Sequence, residues 1–317
     1  MGNGNGKSSL SRRLRRGRRR LMFLGLRTLL RVIGFARART VGTWLGELQF
    51  RFDLRQRLRL QREVALALGR STGDATVAPL LREAYRINNG AVLEMMAMFD
   101  RRQPDDALIA RCHLDGLEHL HAAMAEGRGA ILLATHSGNT ALLTLRLMQA
   151  GWPVSVLYRE ARMMSAGFLQ NGLEQYGIQG ILANNGIRAY GQVLSALKQG
   201  RIVSVMLDQG AKRPKDGLMH RFLGKDIAMP AGPAQLARTS RSPVLPLVMT
   251  AAFPGWRYSI APAVSLTGGT LESDVALLVR LTEQQVRQAP QFWSWHQRRW
   301  AQLPAAPSSS TDHNTGG

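Results

Sequence analysis

Residues 129–143 read GAILLATHSGNTALL. The apolar run from Ala130 to Ala134, closed by Thr135, has the length and continuity of a buried strand. Ser137, Gly138 and Asn139 supply the residues of a tight turn, and apolar spacing resumes as a helix over 138–150. A buried strand therefore delivers His136 to the start of a helix. The same rhythm continues on the C-terminal side. AILLAT, PVSVLY, GIQGILA and IVSVMLD read as strands, with helices between them at 138–150, 162–176 and IRAYGQVLSALKQG. A loop rich in Lys, Pro and Gly covers 211–217, a helix starts near AGPAQLA, PVLPLVM and WRYSIAPAV close the sheet, and a last helix spans about 271–287. Strands alternating with helices predict an α/β fold, a layered sheet with flanking helices. Residues from about 40 to 126 have helical spacing throughout, so N-terminal helices precede the sheet.

The charge is uneven. The chain of 317 residues carries 42 Lys and Arg against 21 Asp and Glu, a net +21. Residues 1–62 hold 17 of the basic residues and two acids, Glu47 and Asp53, so +15 of the excess is N-terminal. Such a segment seeks an anionic surface, phospholipid or nucleic acid. SRRLRRGRRR is followed by LMFLGLRTLLRVIGFARA, where Arg27 and Arg31 share one helical face and interrupt what would otherwise be a spanning run. A basic amphipathic helix lying on an anionic membrane surface fits this best; a helix packed on the protein's own core is the alternative. The expected organisation is a basic tail and membrane-interface helix at 1–39, one domain at 40–303, and a disordered tail at 304–317, PAAPSSSTDHNTGG. A single cysteine, Cys112, excludes an intramolecular disulfide framework. No nucleic-acid recognition motif accompanies the arginines, so no nucleic-acid partner is expected.

Ligands of open α/β sheets bind beyond the carboxyl ends of the strands. His136 is predicted there, placed as a general base, with the first N–H groups of the following helix able to support developing negative charge. A histidine capping that helix fits the same position taken alone. Arg159 follows a second strand, where its guanidinium could bind a phosphate or form a surface ion pair. Asp208 and Gln209 end a third, either in the same crevice or as a cap on the next loop. Cys112, His113, His119 and His121 lie close in sequence, but on a helix His119 and His121 diverge, so no metal site is expected. Trp293, Trp295 and Trp300 flank His296, with Arg298 and Arg299 beside them. They suit either an interfacial belt or core packing.

GRGAILLATHSGNTALL resembles the first motif of the bacterial lipid A biosynthesis acyltransferases, the lauroyl and myristoyl transferases of the lysophospholipid acyltransferase superfamily. Further stretches agree in order. LDGLEHLHAAMAEGRG looks like the lead-in. SVLYRE looks like the second motif with Arg159, and LKQGRIVSVMLDQG like the third with Asp208 and Gln209. RFLGKDIAMPAGPAQLARTSRSPVLPL looks like the fourth, with Pro230, Gly232 and Pro233, and QFWSWHQRRW like the closing segment.

The resemblance implies a glycerolipid-acyltransferase-like fold and acyl transfer from an acyl carrier protein thioester to a lipid hydroxyl. The site would lie at the cytoplasmic face of a bacterial inner membrane. It implies no metal or cofactor. His136 would take the hydroxyl proton, Asn139, Arg159, Gln209 and Gly232 would contact substrates, and the lipid's own oxygen would be the nucleophile of a triad-like arrangement. The family's acidic residue, five positions after the histidine, is Ala141 in this chain, and Thr140 takes the usual Trp position. Either another group therefore orients the imidazole, with Asp208 the first candidate and Glu160 a weaker one, or the acceptor chemistry differs, or the chain is a silent member that binds lipid or carrier protein. Asn139 could hold the ring by a hydrogen bond without matching the charge.

Overall fold

The computed structural model describes residues 5–160, 164–211, 213–266 and 269–297, with side chains from 17 onward except those of Arg19 and Gln297. The chain runs α1 (Asn5–Phe52), α2 (Leu54–Leu68), α3 (Val77–Asp100), α4 (Asp105–Ile109), β1 (Cys112–Asp115), α5 (Leu117–Ala125), β2 (Ala130–Ala134), α6 (Thr140–Gln149), β3 (Val154–Tyr158) and α7 (Phe168–Glu174). It continues through β4 (Gln179–Leu182), α8 (Ile187–Lys198), β5 (Ile202–Met206), β6 (Leu218–Phe222), β7 (Lys225–Met229), α9 (Gly232–Ser240), β8 (Val244–Ala251), β9 (Trp256–Ile260) and α10 (Leu271–Gln288).

Seven strands form one sheet in the order β1-β9-β8-β2-β5-β3-β4. All neighbours are parallel except β8 and β9. The fold is α/β, as the alternation of strands and helices predicts. β2 sits centrally between β5 and β8, and all five of its residues are buried. Its side chains alternate between the faces: Ala130, Leu132 and Ala134 enter one apolar core, Ile131 and Leu133 the other. Both faces are thus covered, which is why the run shows no polar alternation.

Three strands differ from the sequence expectation. β1 interrupts the segment read as helical; its four residues pair with β9, from a distant part of the chain, and four residues are too few to show a period. β6 and β7 form a separate antiparallel hairpin after the loop at 211–217.

α1 bends at Gly34, whose φ of 74° and ψ of 167° leave the helical region, and runs on past 39 without a break. The boundary expected there falls inside a helix. From Phe23 onward α1 also contributes to the sheet's core, through Phe23, Leu30, Phe35 and Ala38. α1 lies against α3 at backbone contact. A Cβ on Gly42 would come within 2.5 Å of the Asn89 carbonyl oxygen, and one on Gly46 within 2.3 Å of that of Tyr85. Arg27 and Arg31 do share a face, and both clamp Asp100 at the end of α3. Arg27 Nε donates at 2.6 Å and Arg31 Nε at 2.6 Å. Burial alone would raise the Asp100 pKa; the bonds from Arg31 and Arg27 outweigh it and hold the carboxyl below its usual range. The tail expected at 304–317 lies outside the described residues.

Candidate active site

The turn after β2 is fixed from several directions. Ser137 N–H donates to Thr135 O at 2.7 Å, and the two hydroxyls lie 2.9 Å apart. Gly138 has φ +61°, and a Cβ there would meet Met249 Sδ at 2.4 Å and the Tyr258 hydroxyl at 2.9 Å, so only glycine fits. Asn139 caps α6, its Oδ1 accepting from Leu142 N–H at 3.1 Å. A chain segment near the C-terminal end closes the other side: Ser137 bridges Trp293, and Ser294 N–H donates to His136 O at 3.1 Å.

Strand register brings the acid to the base. β2 and β5 pair from Ala130↔Ile202 to Ala134↔Met206. His136 and Asp208 stand two residues beyond that last pair, each at the end of its own strand. His136 Nδ1 lies 2.7 Å from Asp208 Oδ1, and His136 backbone N–H donates to Asp208 Oδ2 at 2.8 Å. Trp293 Nε1–H adds a third bond to Oδ2 at 2.6 Å. Asp208 is fully buried and the His136 side chain is 30% exposed. A buried carboxylate with three donors is satisfied. It also fixes the imidazole: the proton sits on Nδ1, facing Asp208, and Nε2 presents its lone pair outward. Gln209 Nε2 lies 3.2 Å from that Nε2.

His136, Asp208 and Gln209 therefore converge. Arg159 is exposed and follows β3, and β5 lies between β3 and β2, so the guanidinium starts about 10 Å to one side, two strand spacings. Asn139 is buried and turned inward. Besides capping α6, its Nδ2 donates to Glu94 Oε2 at 3.0 Å, so neither end of its amide is left for the imidazole or a substrate. Gly232 opens α9, with open space where a side chain would project. Glu160 turns to α7's start, accepting from Gly167 N–H at 3.4 Å. Cys112 is buried and its thiol pushed up to about 12 by burial, and His121 packs edge-on against Trp152 at 4.7 Å.

Sequence reasoning missed Glu94 and the bond from Trp293 to Asp208. Trp293 and Trp295 are core residues, packed edge to face at 4.7 Å, rather than an interfacial belt; Trp300, Arg298 and Arg299 lie outside the described residues. Glu94, at mid-α3, is fully buried beneath the turn. It accepts from Asn139, from Arg111 Nη1 at 2.9 Å and from Trp256 Nε1–H. A charged residue within the apolar run AVLEMMAMF was the one available signal, since a buried charge demands partners.

The profile of the bacterial lipid A biosynthesis acyltransferases matches residues 7–302. The chain belongs to this family. A phosphatidylinositol mannoside acyltransferase of Mycobacterium tuberculosis is 29% identical over 191 residues, 59% of this chain and 59% of that protein; the match thus spans about three fifths of that relative's length. The lipid A biosynthesis palmitoleoyltransferase of Escherichia coli is 24% identical, covering 73% of this chain and 74% of that one. The lauroyltransferase of the same organism is 23% identical over 83% and 85%. Among solved structures, the 1-acyl-sn-glycerophosphate acyltransferase PlsC of Thermotoga maritima aligns with a TM-score of 0.37 and 16% identity, over 80% of this chain and 97% of that one.

Proposed function

We propose that the protein moves a fatty acyl chain from an acyl carrier protein thioester to a hydroxyl of a lipid A precursor or related glycolipid, at the cytoplasmic face of a bacterial inner membrane. His136 Nε2 takes the hydroxyl proton as the oxygen attacks the thioester carbon. Asp208 holds the Nδ1 proton and offsets the charge of the imidazolium that forms. Leu142 N–H is taken by the Asn139 cap, so the oxyanion is met by the N–H groups of Thr140 and Ala141 at the start of α6. Collapse breaks the C–S bond, and the imidazolium returns its proton to the leaving thiolate. Arg159, to one side, binds a phosphate of the acceptor or of the carrier's prosthetic arm. The observation that carries the assignment is the His136–Asp208 contact at 2.7 Å, with Nε2 on the exposed side against Gln209. Ala141 no longer favours a silent, lipid- or carrier-binding protein, since a buried carboxylate already partners the imidazole. The test is transfer of a radiolabelled acyl chain from acyl carrier protein to a lipid A precursor by the purified protein. Loss of product with His136→Ala is expected, and undiminished transfer would remove His136 as the base.

Membrane contact is supported by α1. No described helix is long and apolar enough to cross a bilayer. Opposite the buried Phe23 and Leu30, however, Leu21, Leu24, Leu29 and Val32 project into solvent, with Val32 80% exposed, and Arg18 and Arg20 precede them. Phe52, Leu54 and Leu58 are exposed beside Arg51 and Arg55. Apolar side chains beside cations suit the headgroup region of anionic lipid. Leu21→Glu with Val32→Glu should cut co-sedimentation with phosphatidylglycerol vesicles by roughly 10-fold or more, given the area removed from lipid, with the melting temperature little changed. Equal sedimentation would place the lipid contact elsewhere.

A further inference from the structure

We propose that Gln209 guards the base against water, so that the bound thioester is transferred to lipid rather than hydrolysed. The inference rests on His136 as the general base. Asp208 and His136 fix the tautomer, so the lone pair that would take the acceptor's proton is on Nε2. That lone pair is where Gln209 Nε2 sits, at 3.2 Å. The amide can only donate there, because its oxygen would face another acceptor. The amide N–H thus occupies the place that the acceptor hydroxyl must take.

A guard is needed because the His136 side chain is 30% exposed and water offers the same O–H as a lipid alcohol. If water reached Nε2, its oxygen would bond to the thioester carbon, the C–S bond would break, and the water proton would pass through His136 to the thiolate. The products would be a free fatty acid and a thiol. A tethered amide competes well with water for one lone pair, because its entropy of association is already spent. A lipid acceptor brings the binding energy of its whole body to displace the amide, which a water molecule lacks.

The backbone is built for this division of labour. Asp208 is immobilised by three hydrogen bonds, so residue 209 starts from a fixed point. The Gln209 side chain is itself on the exposed side of the site, so an incoming acceptor can displace its amide into solvent.

The experiment measures two products from one radiolabelled acyl thioester on acyl carrier protein: free fatty acid without acceptor, and the ratio of ester to fatty acid with a lipid A precursor present. Gln209→Ala should raise hydrolysis roughly 3–10-fold, the worth of one ordinary hydrogen bond, and lower the ratio. Gln209→Asn, whose amide is withdrawn by one methylene, should move the same way. Adding His136→Ala to Gln209→Ala should abolish the excess hydrolysis. Unchanged hydrolysis with Gln209→Ala overturns the guard, as does a parallel fall in both products, which would make Gln209 a substrate-binding residue. Full transfer by His136→Ala alone would instead overturn the base on which the guard depends, so the two failures are separable.

Discussion

Asp208→Asn lowers kcat for acyl transfer by roughly 10⁴, the cost of the equivalent change in a serine-protease triad. The orientation of the new amide follows from the contacts. Oδ2 of Asp208 accepts from two N–H groups, those of His136 and Trp293, and Oδ1 faces His136 Nδ1. The asparagine oxygen stays with the two donors, and its NH₂ turns to the imidazole. It then donates to Nδ1, the ring proton moves to Nε2, and the atom that must accept the hydroxyl proton already carries one. The check is kcat on the purified variant together with the nitrogen NMR shifts of the imidazole, which should report the inverted tautomer. Wild-type turnover by Asp208→Asn would show that the carboxylate does not direct the base. Ala141→Glu, which restores the family's acid, should bring no gain. Nδ1 is already partnered, and Ala141 packs against the core, where a carboxylate would be desolvated.

Glu94→Ala destabilises the protein by about 3–5 kcal/mol, the range for removing one member of a buried ion pair, and lowers the melting temperature by on the order of 10 °C. The substitution takes the acceptor from three donors at once: Asn139 Nδ2, Trp256 Nε1 and Arg111 Nη1. Arg39 stacks on Trp256 at 4.0 Å, and Arg111 Nη2 donates to Ala36 O at 2.7 Å, so α1 loosens with the site. Glu94→Gln keeps the shape without the charge and should cost less, about 1.5–3 kcal/mol. Thermal unfolding of both variants decides it; a Glu94→Ala protein as stable as wild type would mean the three donors find other partners.

Each of the site residues was legible to a different degree. His136 stood out because the apolar run before it and the Ser-Gly-Asn turn after it are local patterns, readable within a dozen residues. Asp208 was legible as a strand-end acid and as the first candidate partner, but its contact with the imidazole was not, because Glu160 and Asn139 stayed open as weaker alternatives. Asn139 carried a polar side chain next to the base, and its inward direction depends on Glu94, which lies 45 residues upstream. Trp293 read as suited to an interfacial belt or to core packing, since nothing near it in sequence shows that its indole reaches a carboxylate 85 residues away.

The sequence alone determined the alternation of strands and helices, the burial of β2 and the delivery of His136 to the lip of the sheet. These follow from side-chain hydrophobicity and turn chemistry acting over a few residues. The tertiary structure decided which strand lies beside β2. With β5 there instead of β3, parallel register sets Asp208 opposite His136 across 72 residues of chain, and Arg159 falls one strand further away. Strand adjacency depends on how whole faces pack against their helices, and no local pattern encodes it.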